Sequence, residues 1–495
     1  MAQAHPPGRA ARRRRVRGPV RALLAVLLTA LVVGGAVPYV SGPGRAYLSY
    51  LVLAEGEDAA GAARAGAESR AAGGQVVQEY PQIGAVLVYA TGPFAERVRG
   101  RPGIAAVGAT RTAPVVAPPR ALAGAGDFTR GTARGRGGDR ADGETVTVPD
   151  PGEGDAWNLA AIGAAGGPSG DSPAVPVGAR PGADALHGVL VAVLDSGVDD
   201  THPDLRAAVD PKASASCADG RPDARSGAWR PDPGVVESGH GTHVAGIVGA
   251  ARDGHGVTGV APGVRIAAVR LLGPLGQYYA ENIVCGLLWA ADHGARAVNN
   301  SYFADPWKYN CPEDGDQAVL IAAVGRAAAY ARRKGAVVVA SAGNDGQDLG
   351  AARTDERSPN DRVTGPAPVR RLGTECVRLP GELPGVVTVT AVNRDGRPAG
   401  YSNHGRGRVS LAAPGGEPDG GSQGAVVSDW PDGRYAALAG TSMAAAHVTG
   451  AVAVAAALHP ELGADGLAAL LAGAAAPGGD AERQYLGAGT LVLPR

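Results

Sequence analysis

The chain has 495 residues, more than one small domain needs, and 45% of them are hydrophobic, enough for a sizeable core. Lys plus Arg and Asp plus Glu number 47 each, so the formal net charge is zero and nothing argues for a nucleic-acid partner. Aromatics are only 4%, whereas Gly is 77 and Pro 38, the composition of a small-residue chain with many turns.

Arg12 to Arg15 form a basic run, followed by Arg17 and Arg21, and residues 22–44 carry no charge. A basic start before the apolar stretch 22–37 reads as a secretion signal, with Gly34-Gly35-Ala36 as a cleavage site. The same stretch approaches the roughly 20 residues that a bilayer span requires, so a retained anchor with the arginines inside is the alternative. Residues 1–44 are thus a signal peptide or an N-terminal membrane anchor. Either way the rest of the chain is expected outside the cell, secreted or anchored to the outer face of the membrane.

Residues 45–110 read as a small α+β module. A strand over 47–53 precedes an Ala-rich helix over 57–72, closed by Gly73-Gly74. Strands over 75–80 and 83–90, a short helix over 94–99 and a last strand over 104–110 complete it. Residues 111–154 are rich in Pro, Gly, Arg and Asp and have no apolar period, so they read as an exposed linker open to proteolytic nicking. A second flexible stretch is expected over 163–181.

From Val189 onward, apolar runs alternate with helical patterns. Strands are expected over 189–194, 266–271, 296–300, 336–340 and 386–392, and helices over 242–251, 281–293, 317–334 and 444–458. This rhythm predicts an α/β domain within 155–495: a parallel central sheet with helices on both faces. Sites on such sheets gather at the C-terminal ends of the strands. The four cysteines, Cys217, Cys285, Cys311 and Cys376, lack zinc-type spacing and allow two disulfides in three connectivities. Cys311 with Cys376, leaving Cys217 with Cys285, is the expected pairing; free, buried cysteines are the alternative.

Three words stand out: Val-Leu-Asp195-Ser-Gly, Gly239-His240-Gly-Thr-His-Val-Ala-Gly246 and Gly440-Thr-Ser442-Met-Ala. They supply a carboxylate, an imidazole and a hydroxyl. A serine hydroxyl is barely ionised near neutrality and needs a neighbouring base. The base needs an anion to hold its tautomer and to stabilise the imidazolium. Ser442 follows Gly440 at the start of a helix, where free N–H groups and the positive dipole end favour a developing oxyanion. Asp195 closes an apolar strand and is expected to be buried against His240. His243 is the rival base, and Asp199, Asp200 and Asp204 are rival carboxylates in the following loop.

These words, in this order, resemble the subtilisin-like serine proteases (peptidase S8), and Asp, His, Ser is the order of subtilisin itself. The similarity runs from about Asp155 to the C-terminus. It includes Trp157-Asn-Leu-Ala-Ala-Ile162, Asp199-Asp-Thr-His-Pro-Asp204-Leu, Gly259-Val-Ala-Pro262, Ser341-Ala-Gly-Asn344 and Tyr485-Leu-Gly-Ala-Gly489. The resemblance implies a serine endopeptidase made as a zymogen, acting on polypeptides through Asp195, His240 and Ser442, with Asn344 donating to the oxyanion. It implies an inhibitory propeptide, which the 45–110 module matches in pattern. It also implies an extended substrate laid between Ser301-Tyr302-Phe303 and Ser341-Ala342-Gly343.

Two departures stand out. The first edge usually reads Ser-Leu-Gly-Gly, so bulky Tyr302 and Phe303 bear on the specificity pockets. Ala446 stands where the family has Pro, with little expected effect. No cofactor is needed for the chemistry. A structural calcium is expected at Asp204, with Asp253 and backbone oxygens of 251–257; a solvated acidic loop is the alternative. Two other functions compete. One is a catalytically silent surface-binding module on the same fold. The other is an esterase, which would want a Gly-x-Ser-x-Gly elbow and the order Ser, Asp, His.

Overall fold

The structure is a computed structural model that describes residues 47–114, 129–130, 147–148, 151–153, 156–164, 181–235, 238–274, 276–361, 367–420 and 424–494. The expectations for residues 1–44, for most of the linker and for most of 163–181 fall outside the described residues.

The N-terminal module comprises β1 (Leu48–Ala54), α1 (Ala59–Ala71), β2 (Gln75–Tyr80), β3 (Ala85–Ala90), α2 (Phe94–Val98) and β4 (Ile104–Ala109). The strands form an antiparallel sheet in the order β2-β3-β1-β4. Strand alternation decides what each face buries. Tyr50, Val52, Val86 and Val88 face the module's own helices. Leu51, Leu53, Ala85 and Leu87 join the core of the larger domain. Asp58 caps α1 by accepting from the Gly61 N–H at 2.8 Å. Two short strands follow, β5 (Thr129–Arg130) and β6 (Thr147–Val148), then the short helices α3 (Trp157–Ala161) and α4 (Ala183–His187).

The larger domain begins with β7 (Leu190–Asp195), β8 (Ala215–Ser216), α5 (His240–Gly249), β9 (Arg265–Arg270) and α6 (Ala280–Asp292). It continues through β10 (Ala297–Asn300), α7 (Gly315–Arg333), β11 (Val337–Ser341), the small pair β12 (Arg353–Asp355) and β13 (Arg370–Leu372), β14 (Val387–Val392) and β15 (Leu411–Pro414). A hairpin, β16 (Val426–Trp430) and β17 (Arg434–Ala439), leads into α8 (Thr441–Leu458), and α9 (Ala464–Ala474) follows. The central sheet has seven strands in the order β15-β14-β11-β10-β7-β9-β8, all parallel.

All six residues of β7 are buried. Val191 and Val193 meet α5 and α8 on one face, and Leu190, Ala192 and Leu194 meet α6 and α7 on the other. A strand covered on both sides has no polar face, which is why β7 reads as a continuous apolar run. The N-terminal sheet lies over α6 and α7, outside that second face.

Two disulfides join Cys217 to Cys285 and Cys311 to Cys376, the expected pairing. They close loops of 68 and 65 residues, each stabilising by about 4 kcal/mol in the chain-entropy account. The expected linker is not wholly unpaired: β5 and β6 both pair antiparallel with β17. Among the described residues one helix, α8, is long and apolar enough to cross a bilayer, and it is a buried core helix.

Candidate active site

Parallel strands and the helices that follow them converge on one end of the sheet. Asp195 is the last residue of β7, His240 the first of α5, and Ser442 the second of α8. All three side chains are buried. The His240 Nδ1–H donates to Asp195 Oδ1 at 2.7 Å. The same oxygen accepts from the Ser196 N–H at 2.7 Å and the Tyr278 hydroxyl at 3.3 Å. Burying a carboxylate is costly unless such donors surround it. Ser196 Oγ accepts from the Gly241 N–H at 2.9 Å and donates to the Ser238 carbonyl, so the strand end also fixes the helix start. Glycine is required at 241, because a Cβ there would lie 2.4 Å from the Gly197 carbonyl and 2.9 Å from Asp195 Cβ.

Ser442 lies in the first turn of α8, whose N–H groups have no carbonyl one turn back within the helix. Gly440 does not make the entry by a left-handed turn. Its backbone is extended, at φ 166° and ψ 164°. Ser442 Oγ donates to the Ser301 carbonyl at 3.2 Å, and Ser301 Oγ donates to the Ser442 carbonyl at 3.2 Å. Asn344 Oδ1 accepts from the Thr441 N–H at 3.0 Å and from the Thr441 hydroxyl at 2.8 Å. With that oxygen committed, the amide NH2 is left over, buried and without a partner among the described residues.

The rivals have structural roles. The His243 Nε2–H points at the carbonyls of Val426 and Ala436, at 3.1 and 3.0 Å. Burial, with His240 adding to it, pushes its pKa down to about 3, which leaves it neutral. Asp199 accepts from Thr201 and from the Asp432 N–H, and Asp200 pairs with Arg230.

The substrate edges differ from expectation in two respects. Tyr302 does not line the groove with its ring. That ring is buried, stacked on Tyr278 with centroids 4.8 Å apart, and its hydroxyl donates to Asn300 Oδ1 at 2.6 Å. Phe303 is likewise turned inward, beneath the Arg378 guanidinium. A large apolar ring gains more in the core than on the rim, so the bulk moves away from the groove. On the other edge, Ser341 ends β11 while Ala342 and Gly343 spend their main chain internally. The Ala342 N–H donates to Val389, the Gly343 N–H to Thr441 Oγ1, and both carbonyls accept from Asn403. This segment can wall a pocket, but it does not offer an open ladder for an added strand. Gly343 sits at φ 102°, and a Cβ there would meet Asn403 at 2.5 Å.

Tyr278 ties the site to a second buried acid. Asp305 accepts from the Tyr278 N–H at 2.5 Å and the Asn360 amide at 2.5 Å. Burial outweighs these donors and raises its pKa to about 7. The folded protein therefore holds this proton to higher pH than the unfolded chain does. Its stabilising effect is full below the ordinary carboxylate range and is lost as pH rises toward about 7. Asp305→Asn is expected to remove a slope of up to about 1.4 kcal/mol per pH unit between about pH 4 and 7. Melting temperatures across that range check this, and parallel curves for the two proteins would count against it.

Residues 187–489, most of the larger domain, match the profile of the subtilase family. The chain belongs to the subtilase family. This subtilase is 33% identical over 285 residues to fervidolysin of Fervidobacterium pennivorans, an overlap of 54% of this chain and 34% of that one. It is 32% identical over 267 residues to subtilisin BL of Lederbergia lenta, covering 54% of this chain and 76% of that one. The chain thus spans about a third of fervidolysin's length and three quarters of subtilisin BL's. The solved structure of the epidermin leader peptide processing serine protease from Staphylococcus aureus gives a TM-score of 0.64 at 21% identity. That match covers 90% of this chain and 97% of that one, a likeness of fold. The crystal structure of fervidolysin, a keratinolytic enzyme related to subtilisin, gives 0.58 at 26% identity, over 91% and 61%.

The two expected calcium ligands, Asp204 and Asp253, have different surroundings in this subtilase. Asp253 is exposed and accepts from its own turn at the His255 N–H, while its N–H donates to Glu153. Asp204 is buried and accepts from the Val257 N–H and the Tyr435 hydroxyl. The groups that converge on it are His202 and Asp429, with ligand atoms within 4.8 Å of one another. Asp429 Oδ1 lies 3.7 Å from His202 Nδ1, and burial, then Asp204, holds the carboxyl well above its usual range. Two carboxyls packed together need a cation, whether a proton or a metal ion. Carboxylate oxygens with an imidazole suit a divalent ion, so His202, Asp204 and Asp429 form a second candidate donor set beside the expected Asp204 and Asp253.

Sequence reasoning missed Tyr278 and Asp429. Tyr278 carried no motif. Asp429 sits two residues before Pro431-Asp432-Gly433, a turn signal whose hairpin would have faced it inward.

Proposed function

We propose that this subtilase is a serine endopeptidase working through Asp195, His240 and Ser442. Ser442 Oγ attacks the scissile carbonyl while His240 Nε2 takes its proton. Asp195 holds the imidazole by Nδ1 and stabilises the imidazolium. The tetrahedral oxyanion is met by the Ser442 N–H and the Asn344 amide. Its collapse expels the amine, which takes the proton back from His240, and leaves an acyl ester on Ser442. Water, deprotonated by the same imidazole, then releases the acid. The observation that carries this reading is the 2.7 Å His240–Asp195 bond, with the start of α8 tied to both Ser301 and Asn344.

The N-terminal module is read as the propeptide of a zymogen, supported by its packing over α6 and α7. Export, with a cleaved signal or a retained anchor, fits the two disulfides. A structural cation on this fold would be held by His202, Asp204 and Asp429. It would neutralise buried charge and take no part in the chemistry.

A serine-directed fluorophosphonate, followed by peptide mass mapping, tests the nucleophile. The adduct is expected on the peptide carrying Ser442, and an adduct on another serine overturns the assignment. Asn344→Ala is expected to lower kcat by about 10²–10³-fold with KM little changed, a magnitude known from subtilisin. An unchanged kcat would remove Asn344 from the oxyanion site.

A further inference from the structure

Glu281 lies in the first turn of α6, and its carboxylate has no solvent exposure. A buried carboxylate needs a partner. Among the described residues, every side-chain donor to it comes from the N-terminal part of the chain. Arg111 Nε and Nη2 donate to Oε1 at 3.0 and 2.8 Å, and Ser49 Oγ donates at 3.2 Å. Oε2 has no partner. The Arg111 guanidinium also lies over Tyr279, its carbon 3.9 Å from the ring centroid. A planar cation held by a carboxylate and an aromatic face is the way arginine, rather than lysine, is selected.

This pocket adjoins the reacting groups. Tyr278, next in sequence to Tyr279, donates its hydroxyl to Asp195 and stacks on Tyr302, the neighbour of Ser301. Tyr279 forms a parallel bridge with Asp305, and the Asp305 N–H donates to the Tyr278 carbonyl at 2.9 Å. Arg111 therefore rests on the Ser301–Asp305 edge of the groove. The next residues are held by a second acid from the same domain. Asp361 accepts from the N–H groups of Thr112 and Ala113, at 2.8 and 3.2 Å, and from the Thr112 hydroxyl. Asn360 links it back to Asp305.

We propose that Glu281, walled by Tyr279, is an arginine-selective subsite for polypeptide substrates, and that Arg111 fills it as the chain's own substrate-like residue. The proposal rests on the peptidase reading of the groove. A substrate arginine at one fixed distance from the scissile bond would reproduce the guanidinium–carboxylate pair once residues 110–113 leave. A side chain of the same shape without the charge would leave Glu281 buried and unpaired, which is the strongest form of discrimination available to a pocket.

Two readouts test it in the full-length chain. Arg111→Ala vacates the pocket, and Arg111→Gln serves instead if the alanine variant does not fold. Its melting temperature is expected to recover on adding n-propylguanidinium and not on adding n-propylurea, at equal concentration. The recovery should vanish in Arg111→Ala/Glu281→Gln, which strands no buried charge. Equal effects of the two probes, or recovery that survives the second substitution, overturn the subsite. The same variants are then given a peptide library. Cleavage by Arg111→Ala should enrich arginine at least tenfold at one position relative to the cut, and Glu281→Gln should abolish the enrichment. A profile indifferent to arginine overturns the subsite. Absence of all cleavage both before and after the 111–154 linker has been cut and the N-terminal module released, alongside guanidinium-selective recovery, would instead sink the peptidase reading and leave the pocket's selectivity standing.

Discussion

Ser442→Ala is expected to lower kcat by about 10⁶-fold on a peptide substrate, the magnitude known for nucleophile removal in subtilisin. The loss should be almost purely chemical. Ser442 is buried in a helix whose next residues, Met443 to Ala446, are small or apolar, so alanine fits without a clash. The structural cost is the hydrogen bond to the Ser301 carbonyl, about 1 kcal/mol. Melting temperature and KM should therefore move little. Residual turnover of about 10³–10⁴ over water would persist, because oxyanion donors and substrate binding remain. Single-turnover kinetics with the variant check this, and a loss under a hundredfold would mean that another group attacks.

Asp195→Asn is expected to cost about 10⁴-fold in kcat, again with KM within a few-fold. The carboxylate accepts from His240, Ser196 and Tyr278 through one oxygen. An amide can occupy the same space, and where its NH2 takes the place of that oxygen the Ser196 N–H loses its acceptor. Its NH2 would then face His240 Nδ1 and donate to it, which moves the ring proton to Nε2, the nitrogen that must accept from Ser442. The neutral amide also gives no charge to stabilise the imidazolium. The resonance of the Nδ1 proton in the free enzyme offers a direct check, since it should disappear in the variant. A variant of near-normal activity would show that Asp195 only packs.

The parts of this fold that were legible in the sequence are those with redundant signals. β7, β9, β10, β11 and β14 are largely buried on both faces, and their short runs rich in Val, Ile and Ala were enough to find each, within a residue or two. The three words of the site were equally plain, because chemistry restricts both residue type and neighbours. Gly241 illustrates this, as no Cβ fits against Gly197. What escaped were features set by distant partners. β8 is two residues long and exists by pairing with β9. The hairpin β16–β17 was passed over although Asp432 and Gly433, both at positive φ, mark its turn. The inward rotation of Tyr302 depends on a stacking partner, Tyr278, more than twenty positions away, which no local pattern encodes. Asp204 was expected in a loop as a calcium ligand with Asp253, and its burial beside Asp429 escaped for the same reason: proximity across 225 residues is a tertiary fact.

The pairing of β5 and β6 with one strand has a consequence for how such a chain could be activated. Thr129–Arg130 lies against the end of β17 that runs into Ser442, and Thr147–Val148 against its beginning. A nick anywhere between Arg130 and Thr147 would leave both new ends stitched to the same ribbon. Scission and departure would then be separate events with separate barriers. A clipped molecule could run as two bands on a denaturing gel while still migrating as a single particle in native buffer.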